Sequence, residues 1–478
     1  MTDLNMDLDI LGEQPALFKL YTQLLFIFPI SEHATQSSIT TIITEGLKRL
    51  SEAFPWITGQ VTKKTSLNGD DIFKIAEFEP APRLVIKDYT QDASIPTLAE
   101  LREKDFPMSM LGEQTWAPCP TLTGLKFTPL KPLSPTDEPA PVFLLQLSFV
   151  KEGVVLCVNA QHNVMDMTGQ GHVIALLSKA CRGEEFTNEE VRIGNMERKK
   201  LTPMLENEWK PGPELDMQTI KNSSASENEE KKEPTALAPD IVSLPPTQST
   251  LPKCSWSYFT FSASSLATLK DTATKSLPES TPYITTDDAL SAFIFQCILR
   301  ARQYRLSPST TVKFSRAVDV RRYLGVPATY PGILQNLTYH SYSLSSLLCF
   351  PVGQVAAEMR KKVDPAYSSL AYDTKSLATF MSKPGNRTKA NFTAKMDLNS
   401  DIMLSSWSKI KGYEMDFGLG LGKPLAVRRP GFVPVESLLY LMPKGLDGSI
   451  ALAVCLREED LEKLKADEEF GKMARYIG

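Results

Sequence analysis

The 478-residue chain holds only four histidines, at positions 33, 162, 172 and 340, so any imidazole chemistry falls to one of them. His162 stands apart by its surroundings. It closely follows the apolar run Val154-Val-Leu-Cys-Val158 and precedes a segment of helical spacing, with Asp166 four residues on. A side chain at the end of a buried strand sits at the mouth of a cleft. An imidazole there can take a hydroxyl proton near neutral pH and hand it on to a leaving group. Asp166 is within reach of either the loop backbone or the ring. The His-x-x-x-Asp spacing alone leaves a structural histidine open beside the catalytic one. His33 lies in a polar, turn-like stretch. His172 falls near a helix start, where a capping or surface role is expected, and His340 reads as a strand histidine or a cleft-lining one.

A second feature is Asp416-Phe-Gly-Leu-Gly-Leu-Gly-Lys-Pro424, with glycines at 418, 420 and 422. A phosphate-binding loop needs a helix opening after the glycines, and Lys423-Pro424 opens none. The expected structure is a tight bend whose Asp416 holds neighbouring backbone or an arginine. No Gly-x-Ser-x-Gly elbow, His-Glu-x-x-His or clustered Cys/His is present, so neither the usual hydrolase elbow nor a metal site is expected.

Elements must position these residues. Val142–Val150 and Val154–Val158 read as strands buried on both faces, joined by a turn at Lys151-Glu-Gly153. Helical spacing marks 39–54, with Ile39, Ile42, Ile43, Leu47 and Leu50 inward, and 168–181. Further on, 258–261, 311–318 and 450–456 read as strands, and 264–276 as a helix. Thr285-Thr-Asp-Asp288 supplies a hydroxyl cap and first-turn carboxylates for another. Strands and helices alternate, so the class is α/β with a cleft between two halves. From 217 to 253 the chain is poor in large apolar residues and is expected to be an exposed linker between domains at 1–216 and 254–478.

Net charge is −4, and a chain without a basic excess is a poor candidate for binding nucleic-acid phosphates. The acidic N-terminus is unlike a signal peptide, and the apolar stretch Leu24–Ile30 is too short to span a membrane. Seven scattered cysteines suggest free thiols in a reducing compartment, so a cytoplasmic protein is expected.

Taken together, His162-Asn-Val-Met-Asp166 and Asp416-Phe-Gly-Leu-Gly420 resemble, in type and order, the two signatures of the BAHD acyltransferase superfamily. Ala317-Val-Asp-Val-Arg321, Tyr330-Pro-Gly-Ile-Leu-Gln-Asn336 and Ser405-Ser-Trp407 are similar to that family's intervening motifs. Asp9-Ile-Leu-Gly-Glu-Gln-Pro15, Ser255–Phe261 and Thr286–Ile294 are similar to its fungal trichothecene 3-O-acetyltransferase group. Met167 and Leu419 depart from the broad pattern, where glycine and tryptophan are usual. The resemblance implies two similar domains, each a mixed sheet with flanking helices, around a tunnel. It implies acetyl-CoA as cosubstrate, no tightly bound cofactor, a small hydroxylated terpenoid-like acceptor and a monomer. His162 would be the general base, and Asp166 would turn away to pair with Arg321. Trp407 would donate its indole N–H to the oxyanion or be a core tryptophan, Ser405 would face the oxyanion or substrate, and Asp416, Gly418 and Gly420 would be structural. The other functions open to the sequence are acetylation of a different fungal alcohol, or a non-catalytic binding protein of the same fold.

Overall fold

The computed structural model of the protein describes residues 4–31, 34–66, 70–78, 83–122, 139–220 and 252–478. The N-terminal half supplies strands β1 (Asn5–Asp7), β2 (Tyr21–Pro29), β3 (Gln60–Thr65), β4 (Asp71–Ala76), β5 (Leu84–Asp88), β6 (Phe143–Val150) and β7 (Gly153–Gln161). The C-terminal half supplies β8 (Cys254–Phe261), β9 (Thr311–Asp319), β10 (Gln335–Ser343), β11 (Ile402–Ser406), β12 (Ala426–Arg428), β13 (Leu438–Leu441), β14 (Ile450–Arg457) and β15 (Ala474–Tyr476).

β6 and β7 form an antiparallel hairpin in which Val150 opposes Gly153, with Glu152 in the left-handed region at φ 66°. Every residue of both strands is buried, as their almost unbroken apolar runs require. β7 runs three residues beyond the expected Val158. Asn159, Ala160 and Gln161 continue the pairing with β2, so the strand delivers His162 directly. Polarity alone had hidden this extension, since Asn159 and Gln161 are buried polar residues held by the ladder. Leu24–Ile30, noted in the sequence only as an apolar stretch, lies mostly within β2, in the interior of the sheet.

The N-terminal sheet has the order β12-β2-β7-β6-β5, antiparallel except for the parallel β5–β6 pair. Helices Gln36–Ala53 and Met167–Cys181 pack together and share its core. The first begins at a reciprocal cap between Thr35 and Ser38, three residues before the expected start, and buries Ile39, Ile43, Leu47 and Leu50. The C-terminal sheet has the order β10-β9-β11-β13-β14-β8-β15, with β11 parallel to both neighbours. Helix Thr286–Ala301 lies in its core and starts at the expected Thr285 cap. Both sheets are thus mixed and flanked by helices. A smaller antiparallel sheet, β1-β4-β3, completes the N-terminal half.

The two halves are interleaved. β12, from the C-terminal half, is the edge strand of the N-terminal sheet, with Ala426, Val427 and Arg428 opposite Ile27, Phe26 and Leu25. The glycine-rich segment just before it crosses between halves and inserts Phe417, fully buried, edge-on against Phe26 and Phe28. Residues 217–220, expected in the exposed linker, are instead docked. Thr219 bridges Ala390, and Gln218 Nε2 donates to Asn336 Oδ1 at 2.8 Å. The remainder of the expected linker, up to 251, lies outside the described residues, as does His33. No helix among the described residues is long and apolar enough to cross a membrane.

Phe417→Ala removes a large side chain from this junction. It is expected to lower stability by about 3–5 kcal/mol in urea unfolding, and a loss below about 1 kcal/mol would show that the junction is loosely packed.

Candidate active site

β7 ends at Gln161, and the next five residues turn the chain into helix Met167–Cys181. Asp166 is the cap of that helix, its Oδ1 accepting from Gly169 N at 2.8 Å. His172, expected in a capping or surface role, does not cap the helix; it is half-buried one turn further on, near Arg321. Asp166 is itself 2% exposed and forms a bidentate pair with Arg321, both N–O distances being 3.0 Å. Its Oδ2 also accepts from Leu334 N at 2.7 Å. Both oxygens are thus committed away from the His162 ring.

Arg321 has correspondingly little freedom. It donates to Asp319 Oδ1 at 2.8 Å, to Tyr330 O at 2.9 Å and to Gly332 O at 2.6 Å, so its planar fork is filled. These carboxylates outweigh burial and push its pKa upward. The loop has further fastenings. Arg198 donates to Val164 O at 2.8 Å and pairs with the buried Asp9 at 3.0 Å. Asp9 in turn accepts from Tyr330 Oη at 2.6 Å and Ile333 N at 3.2 Å. A side chain at Gly12 would lie 2.1 Å from Asn163 O, so only glycine fits against the loop there.

His162 N donates to Leu20 O at 2.7 Å. The ring Nδ1 lies 3.2 Å from the Met165 carbonyl oxygen, a contact that a protonated Nδ1 satisfies. This tautomer leaves the Nε2 lone pair free. Burial, opposed only in part by the Met165 contact and the Asp166 charge, holds the His162 pKa below the ordinary 6.5. The ring is therefore a neutral base at physiological pH.

His162 opens on a chamber of about 150 Å³ between the two sheets. Ser405, at the end of β11, and Trp407 line it with His162, and so do Tyr440 on β13 and Arg429 just after β12. The parallel pairing of β11 and β13 sets Ser405 beside Tyr440. The Trp407 indole N–H is not free. It donates to Ser405 Oγ at 3.0 Å, while its ring packs on Tyr440 with centroids 4.7 Å apart. Direct donation by the indole to an oxyanion is thus not the arrangement seen. The bond fills an acceptor site on Ser405 and leaves that hydroxyl's proton available to the chamber.

The glycine-rich bend is remote from these atoms. Asp416 Oδ1 accepts from Gly418 N at 2.9 Å, and Gly418, Gly420 and Gly422 all have φ near +70°. Asp416 O accepts from Ser178 Oγ at 2.7 Å and Arg182 Nη1 at 2.5 Å. Lys423 and Pro424 follow without a helix. His340 lies in β10 and does not line the chamber; burial pushes its pKa down to about 3.

Asp9, Arg198, Tyr440 and Arg429 were not singled out as site residues in the sequence. Asp9 carried two signals, its place at the head of the family-like run Asp9–Pro15 and a carboxylate set within Leu8-Asp9-Ile10-Leu11. The others gave none, because their partners are distant in the chain.

Two mixed, helix-flanked sheets with a strand-end histidine facing a chamber between them are the architecture of the BAHD-type acyltransferases, to which the similarities below assign the chain. The chain belongs to the Transferase family, whose model matches residues 111–471, and residues 20–181 match the trichothecene 3-O-acetyltransferase-like N-terminal domain. It is 44% identical to the trichothecene 3-O-acetyltransferase TRI101 of Fusarium sporotrichioides, over 99% of this chain and 97% of that protein. It is 43% identical to the O-acetyltransferase dmxR13 of a Cryptosporiopsis species, over 100% of this chain and 98% of that one. The crystal structure of F. graminearum TRI101 complexed with coenzyme A and deoxynivalenol superposes with a TM-score of 0.89 at 42% identity. That match covers 99% of this chain and 100% of the other.

Two outcomes follow from the site. Arg321→Met leaves Asp166 buried without its partner and is expected to cost about 3–5 kcal/mol. The double variant with Asp166→Leu should cost clearly less than the sum of the two single changes, as a urea double-mutant cycle would read. In kcat/KM against pH, the neutral ring is the active form, so activity should hold as pH falls through 6.5 and drop only below it. An acid limb inflecting at or above 6.5 would contradict a buried, neutral base.

Proposed function

We propose that the protein transfers the acetyl group of acetyl-CoA to the C-3 hydroxyl of a trichothecene. The observation that carries this reading is His162, its Nδ1 turned to the Met165 carbonyl and its ring on the chamber, in a chain similar along its whole length to enzymes of that activity. His162 Nε2 takes the acceptor hydroxyl proton as the oxygen attacks the thioester carbonyl. The tetrahedral oxyanion then collapses, the C–S bond breaks, and the imidazolium returns its proton to the CoA thiolate. No acyl-enzyme is formed on this route.

Asp166 and Arg321 position the ring through the loop and carry no proton. Ser405 is the oxyanion donor, aligned by the Trp407 N–H that fills one of its lone pairs. A donor of this kind is worth roughly 2.7–4 kcal/mol in other enzymes. Asp416, Gly418 and Gly420 keep the junction between halves. We place the enzyme in the cytoplasm, a reading supported by its seven free thiols and an acetyl donor made inside cells, and take it to be a monomer.

A second acceptor class has its own support. The similarity to dmxR13, an O-acetyltransferase, is almost as high as that to the trichothecene enzyme, and a chamber of about 150 Å³ suits a small ring system. In that case the chemistry is identical and the acceptor is another fungal secondary-metabolite alcohol.

His162→Ala is expected to reduce thiol release from acetyl-CoA by at least about 100-fold, followed with a thiol reagent; unchanged release would refute the base assignment. A trichothecene should head a panel of fungal alcohols ranked by kcat/KM, and a ranking near the bottom would move the acceptor to the second class.

A further inference from the structure

Burying an arginine is costly unless a carboxylate answers it. Six arginines are buried among the described residues: Arg198, Arg302, Arg316, Arg321, Arg428 and Arg429. Five of them have a carboxylate within 4.0 Å, supplied by Asp9, Asp460, Asp288, Asp166 and Asp105 in that order. Arg429 has none among the described residues. It is also one of the most deeply enclosed, at 1% exposure.

Two aromatic rings flank Arg429, one of which, Tyr440, also hydrogen-bonds it, and the Glu113 carboxylate attracts it from beyond ion-pair distance. The guanidinium carbon lies 3.8 Å from the centre of the Phe432 ring and 4.8 Å from that of Tyr440. Nη1 donates to the adjacent Pro430 O at 3.1 Å, and Nη2 reaches Thr121 Oγ1 only at 3.4 Å. Nε is buried with no acceptor at all. The same side chain lines the chamber that holds His162, whose wall is otherwise largely apolar, with Leu20, Met403 and Leu438 among its members.

A cation here does not assist the base, since its charge disfavours an imidazolium at His162. The bonds of Arg429 to β8 are made by its backbone, which Tyr258 Oη both donates to and accepts from, and a different side chain at 429 leaves them in place. A guanidinium with no carboxylate within 4.0 Å and a donor still lacking an acceptor, in the wall of a largely apolar chamber, is instead suited to fix a bound molecule by one of its oxygens. We propose that Arg429 is a specificity-determining residue, which orients the acceptor by donating to an oxygen of it other than the hydroxyl that is acylated. The group recognised is an ether, epoxide, carbonyl or ester oxygen of a compact polycyclic alcohol. This rests on the acetyl-transfer function proposed above.

The test uses the full-length enzyme with acetyl-CoA and two acceptors, a polyoxygenated trichothecene and cyclohexanol, which lacks a second oxygen. Arg429→Gln and Arg429→Lys are both measured, and thermal unfolding identifies a variant that fails to fold, in which case the other carries the test. The expected result is a fall of about 10- to 100-fold in the ratio of kcat/KM for the trichothecene to that for cyclohexanol. That fall should lie mainly in a raised trichothecene KM, with the lysine variant retaining more of the ratio than glutamine. An unchanged ratio overturns the proposal, whether both acceptors lose activity equally through kcat or neither loses any. Wild-type enzyme that turns over neither acceptor refutes the acetyl-transfer reading itself, and this proposal with it.

Discussion

The bidentate pair between Asp166 and Arg321 is the constraint on which the site depends. It joins a helix cap of the N-terminal half to the end of β9 in the C-terminal half, at a depth where neither charge meets water. The desolvation of both ions is offset because each remaining donor and acceptor has a partner: Gly169 N and Leu334 N on the carboxylate, Tyr330 O, Gly332 O and Asp319 on the guanidinium. A pair filled in this way has one geometry. It therefore sets where β7 can stop, where the helix after it can start, and which way the intervening ring faces. The base gains orientation from a carboxylate it does not touch.

The same logic recurs at the other junction. The glycine-rich bend holds no reacting atom, yet it lets the chain leave the C-terminal sheet, insert Phe417 among the aromatic residues of β2 and lay β12 along that strand. Positive φ at Gly418, Gly420 and Gly422 makes that path possible without strain. One junction is ionic and lies beside the chemistry. The other is aromatic and lies away from it. Between them they fix the two sheets around a chamber whose polar groups come from both halves.

How much of this is legible in the sequence follows from what each feature depends on. β6 and the start of β7 are plain because burial on both faces writes itself as an apolar run. The helix at Thr286 is plain because its cap is local, with Thr285 and Asp288 three residues apart. The tail of β7 is not, since Asn159 and Gln161 look like loop residues until β2 is laid beside them. The Asp166–Arg321 pair can be expected only through family resemblance, for no local pattern links positions 155 apart. Arg429 and Tyr440 are invisible for the same reason. Trp407 is half-legible: its motif marks it as a site residue, but its N–H partner is decided by where the β11 backbone puts Ser405.

The edge position of β12 also bears on how the protein is made. β2 leaves the ribosome early, carrying nine residues of which eight are buried in the finished sheet. Its outer edge stays open until Ala426–Arg428 has been translated, on the order of tens of seconds later at ordinary elongation rates. An apolar strand with an unpaired edge is a template for aggregation. Pairing with Ala426–Arg428 closes that edge, so a chain truncated before position 426 leaves the outer side of β2 without its partner strand.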